Sequence, residues 1–221
     1  MKNKTDKAEK IDKIETPKIT DPDLLPLQPI DALQTKEEYS RCQISDIQVE
    51  YQEAEKVSFD KVLFKNVIIR ESSLRAIELT DVIFENCDLS NVNFSEAFIH
   101  RTEFRQCKMI GTDFTRARFQ NVSVLDSLCD FASFRFGKLK LTAFGQCSLN
   151  SADYYQADFQ KVTFEDCKID QAVMAGVRLK DTDLSSCEFT GLLVDLEDLP
   201  GCIISADQAA SFAGLLGLVI K

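Results

Sequence analysis

The chain has 221 residues, a formal net charge of −10 at pH 7, eight cysteines, one histidine and no tryptophan. This charge argues against a protein that binds nucleic acid directly, because binding to phosphates depends on lysine and arginine. No stretch is long and apolar enough to span a membrane, and no apolar signal-peptide core follows the basic start. We therefore expect a protein of the cytoplasm, with no membrane anchor and no direct contact with nucleic acid.

The first 40 residues differ in composition from the rest of the chain. They are rich in lysine, acidic residues and proline, and they hold too little apolar surface to fold alone. We predict a disordered N-terminal tail over residues 1–40, with an apolar stretch at residues 22–35. Two roles fit this stretch: it folds over the open first coil of the domain that follows, or it binds a partner.

A five-residue period runs through residues 41–200. Every fifth residue from Phe59 to Leu199 is apolar, and the residue two positions before each of them is mostly small or β-branched. A period of five fits neither a helix nor a flat strand, so the chain must turn a corner every five residues. We predict a solenoid whose units each point one large and one small side chain into a packed interior without a substrate cavity.

The cysteines indicate the length of one coil. All eight fall in the inward columns, and five of them are separated by multiples of twenty residues, so four units should complete one coil. They form either a disulfide or metal ladder or a set of small buried side chains. Because no CxxC pair exists, we expect no metal and no cofactor. The cysteines are Cys42, Cys87, Cys107, Cys129, Cys147, Cys167, Cys187 and Cys202.

Nothing in the sequence indicates an enzyme. The single histidine, His100, lies in an outward column, and no glycine-rich phosphate-binding motif is present. The acidic residues recur at repeat positions, where solvation and turn hydrogen bonds explain them.

Charge is distributed unevenly over the outward positions. One face is acidic and is opposed only by Lys65 and Arg105, and we predict it as the candidate partner surface. The alternative is that its acidic residues only keep the protein soluble. The acidic face carries Glu85, Glu103, Asp126, Glu165, Asp166 and Asp183, and a basic face carries Arg101, Arg118, Lys138, Lys140, Lys161, Arg178 and Lys180.

An apolar girdle interrupts the polar exterior around one coil. It is a partner contact, a local change of turn type, or a set of corner residues packed on their neighbours. We add its first four members to the candidate partner surface. The girdle residues are Leu125, Leu128, Phe131, Phe136 and Leu141.

The segment 201–221 follows the last repeat. Ser205 and Gln208 have capping-box spacing and predict a helix, for which Gly214 and Gly217 are stop signals. Its apolar side chains either cap the last coil or also join two chains. The candidate dimer interface consists of Phe212, Leu215, Leu216, Leu218 and Ile220.

The repeat resembles the pentapeptide-repeat family, whose pattern is A(D/N)LXX with a central Leu or Phe. The segments "CDLSN VNFSE AFIHR TEFRQ CKMIG TDFTR ARFQN" and "ADYYQ ADFQK VTFED CKIDQ" carry the resemblance. It implies an all-β fold, a right-handed quadrilateral β-helix (pentapeptide-repeat solenoid), here with a short C-terminal helix.

The end of the chain is similar to the quinolone-resistance (Qnr/MfpA-like) type of that family. This resemblance implies a homodimer through the C-terminus and a protein partner, DNA gyrase or topoisomerase IV, which an acidic rod binds as a DNA mimic. A generic protein-interaction scaffold in another pathway is the second function that we consider.

Overall fold

The nine strands among the described residues form one parallel sheet that winds into a solenoid. The computed structural model describes residues 13–216 and 218–219. The predicted all-β, right-handed quadrilateral β-helix is confirmed. The strands are β1 (Glu38–Ser40), β2 (Gln43–Ser45), β3 (Ser58–Asp60), β4 (Leu63–Lys65), β5 (Glu78–Glu85), β6 (Phe98–Arg105), β7 (Arg118–Leu125), β8 (Lys138–Gly145) and β9 (Asp158–Glu165). In the described part of the chain, 3₁₀ helices span Pro22–Leu24, Leu196–Asp198 and Asp207–Leu216.

One coil contains twenty residues. The strand pairs Glu38↔Ser58 and Phe84↔Phe104 show this register, which agrees with the cysteine spacing. The first face of the solenoid contains residues 58–60 and the residues that follow them at intervals of twenty. The second face contains residues 63–65 and their equivalents at the same interval. The third and fourth faces are held by single bridges, such as Ile68↔Asp88 and Ser73↔Asn93.

The corners between faces depend on an unusual backbone conformation. Every fifth residue from Lys36 to Asp181 has a positive φ, which turns the chain toward the next face. This left-handed region is costly for most L-residues, so it is generally occupied by glycine or asparagine. Gly111 is one such corner, and a Cβ built there would clash with Asn91 Oδ1. The five-residue period is therefore the spacing of these corners.

Aromatic stacks fill the interior. The Phe64 ring lies 4.5 Å from Phe84, and Phe134 lies 4.8 Å from Tyr154, both with nearly parallel rings. Both stacks are buried, as the period predicts. Offset stacking adds a favourable term to the burial of these large side chains. The Tyr154 hydroxyl is buried and makes no hydrogen bond within the described part of the chain.

All eight cysteines are free thiols, and seven of them are buried. Several donate weak hydrogen bonds to carbonyls of the preceding coil, as Cys147 Sγ does to Val124 O at 3.3 Å. No group of metal-ligating side chains forms among the described residues. Burial raises the pKa of Cys187 to about 11. The cysteines of the column are therefore small packing residues, and the buried Cys187 thiol carries little thiolate.

This packing predicts the reactivity of the thiols. In the native protein we expect only Cys202, the one cysteine that is not fully buried, to react with Ellman's reagent. All eight should react in strong denaturant. Mass spectrometry of the labelled peptides identifies the site, and rapid native labelling of any second cysteine would contradict the packing.

The N-terminal segment is ordered where the structure describes it. The prediction of a disordered tail over residues 1–40 is wrong for residues 13–40, because their backbone groups find partners on the solenoid. Gln43 donates its N–H to Pro26 O and accepts from Gln28 N–H, each at 2.8 Å. Ile30 and Leu33 are buried in the core, so residues 26–33 cover the first coil. Residues 1–12 lie outside the described residues.

The solenoid also begins earlier than the predicted boundary at residue 41. β1 (Glu38–Ser40) already pairs with β3 through three residue pairs. Lys36, the first corner residue, accordingly has a φ of 63°. The repeat is difficult to recognise here because its inward residues are less regular than in later coils.

The C-terminal helix is a 3₁₀ helix over Asp207–Leu216. Ser205 and Gln208 bond reciprocally, with Gln208 Oε1 accepting from Ser205 N–H at 2.8 Å. Gly214 lies inside the helix and does not end it, because the helix continues to Leu216, and Gly217 lies outside the described residues. The residues described by the structure include no helix that could cross a membrane.

Candidate partner-binding surface

The six predicted acidic residues lie on one side of the solenoid. Glu85, Glu103, Glu165 and Asp183 occupy outward positions of the second face. Asp126 and Asp166 lie at the corner that follows this face, each with a φ of 50°. The twenty-residue coil therefore brings together residues that are up to 98 positions apart between Glu85 and Asp183.

Two of these carboxylates are not available to a partner as predicted. Glu85 forms an ion pair with Lys65, with 3.0 Å between Oε1 and Nζ. Glu103 is buried and pairs with Arg105. The prediction that Glu103 belongs to an exposed surface is therefore wrong, because its neighbours cover it and its charge is neutralised. The other four carboxylates make no ion pair among the described residues.

These four define what we call the late acidic patch: Asp126, Glu165, Asp166 and Asp183. All four side chains are exposed. Hydrogen bonds from the Ser185 hydroxyl and N–H hold the pKa of Asp183 below its usual range, so this carboxylate stays charged at neutral pH. Asp126 and Asp166 share one corner two coils apart, which places them about 10 Å apart along the axis.

The apolar girdle lies only partly beside this patch. Leu125 and Leu128 are exposed and flank Asp126 in the chain, so they extend the late acidic patch with apolar surface. Phe131 and Phe136 are exposed at the next two corners, away from the patch. The five girdle residues therefore do not form one surface, because the coil distributes them around its circumference.

A second exposed cluster surrounds Phe136. The guanidinium carbons of Arg116 and Arg135 lie 5.7 and 5.6 Å from the centre of its ring. Tyr155 meets the same ring edge-on at 5.7 Å, and Arg135 Nη1 pairs with Asp153 Oδ2 at 2.6 Å. Sequence reasoning singled out Phe136 alone. The twenty-residue interval between Arg116 and Phe136 is the signal that could have predicted this contact.

The structure also reveals a contact that sequence reasoning missed. Asp81 is buried at the corner between the first and second faces, where Arg101 pairs with it through two hydrogen bonds. The Lys18 N–H donates to the same carboxylate, with 2.9 Å between N and Oδ1. Burial alone would raise the pKa of Asp81. The hydrogen bonds from Arg101 and from the Lys18 N–H outweigh this effect, so the pKa lies below its usual value. Arg101, predicted as part of the basic face, is thus neutralised.

The apolar residues predicted for the dimer interface divide into two groups. Phe212 is buried in its own chain, where its ring packs edge-on against Phe189 at 5.9 Å. It belongs to the cap over the last coil, which corrects its assignment to a dimer interface. Leu215 and Leu218 are exposed. The side chain of Leu216 and all of Ile220 lie outside what the structure describes.

A family model and a relative are similar to this chain. The family model described as "Pentapeptide repeat region" matches residues 57–141 and 97–174. "Uncharacterized protein YisX" of Bacillus subtilis (strain 168) is 52% identical over 169 residues, which cover 76% of this chain and 80% of that protein.

Solved structures resemble the fold at low sequence identity. QnrB1, a plasmid-mediated fluoroquinolone resistance protein, is 20% identical, with 89% of this chain and 100% of that chain covered and a TM-score of 0.42. A pentapeptide repeat protein from the thylakoid lumen of Arabidopsis thaliana is also 20% identical, with 43% of this chain and 67% of that chain covered and a TM-score of 0.41.

Proposed function

The chain belongs to the pentapeptide-repeat family, and from this premise we propose that it is a non-enzymatic protein that binds a type II topoisomerase as a DNA mimic. The partner is DNA gyrase or topoisomerase IV, and the consequence is protection from quinolones. Resemblance to the quinolone-resistance type of the family motivates this choice of partner. The observation that carries the proposal is the late acidic patch, whose carboxylates follow the axis of a rod.

Electrostatics supports binding in this orientation. The patch extends over about three coils, or roughly 14 Å along the axis at the usual spacing of strands. A protein surface built to bind DNA is positively charged, so it attracts exposed carboxylates and speeds association at low salt. The apolar side chain of Leu125 lies on the same face and would be covered by the partner.

A gyrase supercoiling assay with ciprofloxacin tests the proposal. Titrated wild-type protein should restore supercoiling. The triple variant Asp126→Lys, Glu165→Lys, Asp166→Lys should need at least about tenfold more protein, because it replaces attraction by repulsion. The matched control Glu78→Lys, Asp158→Lys, Glu188→Lys makes the same change in net charge at exposed sites on other faces and should act like wild type. If wild-type protein neither binds gyrase nor changes its activity, the proposal fails.

We further propose that the protein is a homodimer through its C-terminal segment. Leu215 and Leu218 are 38% and 60% exposed, and Val219 beside them is also exposed. Neighbouring exposed apolar side chains of this kind are typical of an interface.

Light scattering tests the dimer directly. Leu215→Asp should halve the mass of the particle, because it places a charge in the interface. Leu24→Asp changes an exposed leucine at the other end of the chain and should leave the mass unchanged. Equal masses for Leu215→Asp and wild type would exclude this interface.

The free thiols are consistent with a cytoplasmic protein, which we include in the proposal. All eight cysteines are free, and thiols persist in a reducing compartment. Fractionation of cells that express the protein from its own promoter tests this location.

The cluster around Phe136 favours a generic interaction scaffold as the second candidate function. Exposed and half-buried arginine, tyrosine and phenylalanine side chains packed together resemble the composition of binding hot spots. If the gyrase assay is negative, affinity capture with wild type and with Phe136→Ser should reveal a protein that only the wild type retains.

A further inference from the structure

Residues 13–25 run along the rod, across the coils of the second face and its edge. Glu15 N–H donates to Asn121 Oδ1 at 3.3 Å, and Lys18 N–H donates to Asp81 Oδ1 at 2.9 Å. Asp23 Oδ1 then lies 3.6 Å from Lys65 Nζ. Between Glu15 and Lys18 the segment advances by three residues and crosses two coils, from Asn121 to Asp81. Because two strand spacings measure about 10 Å, the chain is almost fully extended there. We call residues 13–25 the strap.

Beside the strap, the second face buries side chains that a regular solenoid would expose. Leu63 and Ile83 lie in the outward row of the second face, yet they are only 1% and 4% exposed. Further along the same row, beyond the reach of the strap, Thr163 and Asp183 are exposed. Burial in this row therefore follows the position of the strap.

The contacts of the strap indicate that it is held weakly compared with the coils. Its two anchoring N–H groups donate to side chains, and it makes no ladder of backbone bonds with the second face. Ile14, Pro17 and Ile19 are only half-buried. A segment with few buried contacts opens at lower free energy than the core to which it is attached.

We propose that the strap is a displaceable, autoinhibitory cover that closes the first half of the second face to the protein partner. This inference rests on the proposed function, because it takes the second face as the partner surface. When the strap is released, Leu63 and Ile83 add apolar contact area to the second face. Partner binding and strap docking then compete for one face, and release of the strap raises the affinity for the partner.

Two proline substitutions in the full chain test whether the hydrogen bond from Lys18 N–H to Asp81 holds the strap on the solenoid. Lys18→Pro removes the N–H that binds Asp81. Thr16→Pro is the matched control, because Thr16 is exposed and its N–H makes no hydrogen bond among the described residues. Neither change touches a bond between coils, so both variants should melt like wild type. A second release variant, Ile14→Ser with Ile19→Ser, removes apolar contacts and keeps the N–H donors.

The first readout does not depend on a partner. Trypsin should cleave after Lys13 about tenfold faster in Lys18→Pro than in Thr16→Pro, the factor expected for one lost hydrogen bond in a local opening. The neutral dye Nile red should bind more strongly to both release variants, because Leu63 and Ile83 become accessible. Cleavage and dye binding equal to wild type in both release variants would show that the strap is not a displaceable cover.

The second readout measures affinity for immobilised DNA gyrase. We expect both release variants to bind several-fold more tightly than wild type, with Thr16→Pro unchanged. Faster cleavage without tighter binding would overturn the autoinhibitory role. If no variant binds gyrase at all, the proposed function fails, whereas proteolysis and dye binding still decide whether the strap is displaceable.

Discussion

Phe134→Ala is expected to lower the free energy of unfolding by about 3–5 kcal/mol, the cost of removing a buried phenylalanine from a packed core. Phe134 is 2% exposed. Its ring stacks between Phe114 at 5.3 Å and Tyr154 at 4.8 Å, and it meets Phe144 edge-on at 5.7 Å. Because each coil of a solenoid contacts only its neighbours, a cavity at this level weakens the connection between the two halves of the rod.

The control is a phenylalanine three residues away. Phe131 is 66% exposed and has a φ of 60°. Phe131→Ala should change the free energy of unfolding by less than about 0.5 kcal/mol, as is usual for exposed positions. Urea denaturation followed by circular dichroism measures both variants, and the unfolding transition of Phe134→Ala should lie at much lower urea. Equal midpoints for the two variants would contradict the stacked core.

The difference between these two residues could be predicted from the sequence. The five-residue period places Phe134 in the large inward column and Phe131 two positions after such a residue, at a corner. Side-chain direction follows directly from the period, so the sequence predicts the core nearly completely. The structure adds the reason for the period, which is a left-handed residue at every corner, including Phe131 and Phe136.

Outward positions could be predicted less well, because their environment depends on residues outside their own unit. Part of this information was available at twenty-residue spacing, as in the pairs Asp81–Arg101 and Lys65–Glu85. The contact between Lys18 and Asp81 spans 63 residues and follows no period, so no sequence pattern indicated it. The burial of Glu103 was not indicated by the sequence pattern either. The six predicted acidic residues therefore lie on one side of the rod, but only the four of the late acidic patch are exposed.

Composition was also a poor guide to the N-terminal segment. Its residues have too little apolar surface to fold alone, which is correct for an isolated peptide. On the solenoid, Ile30 and Leu33 are buried against a core that already exists, and Pro26 and Gln28 pair with Gln43. A segment that folds on a preformed surface needs fewer apolar residues than one that builds its own core. Prediction from local composition misses this case.

Gln208→Leu is expected to destabilise the C-terminal end of the rod by roughly 1–3 kcal/mol, the cost of leaving buried polar groups without partners. The Gln208 side chain is buried, and its Nε2 donates to Leu184 O at 2.9 Å and to Cys187 O at 2.7 Å. Its Oε1 accepts from Ser205 N–H at 2.8 Å. The Gln208 amide thus begins the C-terminal helix and also donates to carbonyls of the last coil, which receive no bond from a further coil within the described residues.

Leucine has nearly the volume of glutamine, so the change removes the hydrogen bonds and keeps the packing. We expect the C-terminal segment to become sensitive to protease and the last coil to exchange amide hydrogen faster, while the central coils keep their protection. Gln160→Leu is the matched control, because Gln160 is exposed on the first face. If the candidate dimer depends on a correctly placed helix, Gln208→Leu also weakens it, although Gln208 is buried within its own chain. A Gln208→Leu protein with wild-type exchange in the last coil would show that the helix is held by Phe212 and its neighbours instead.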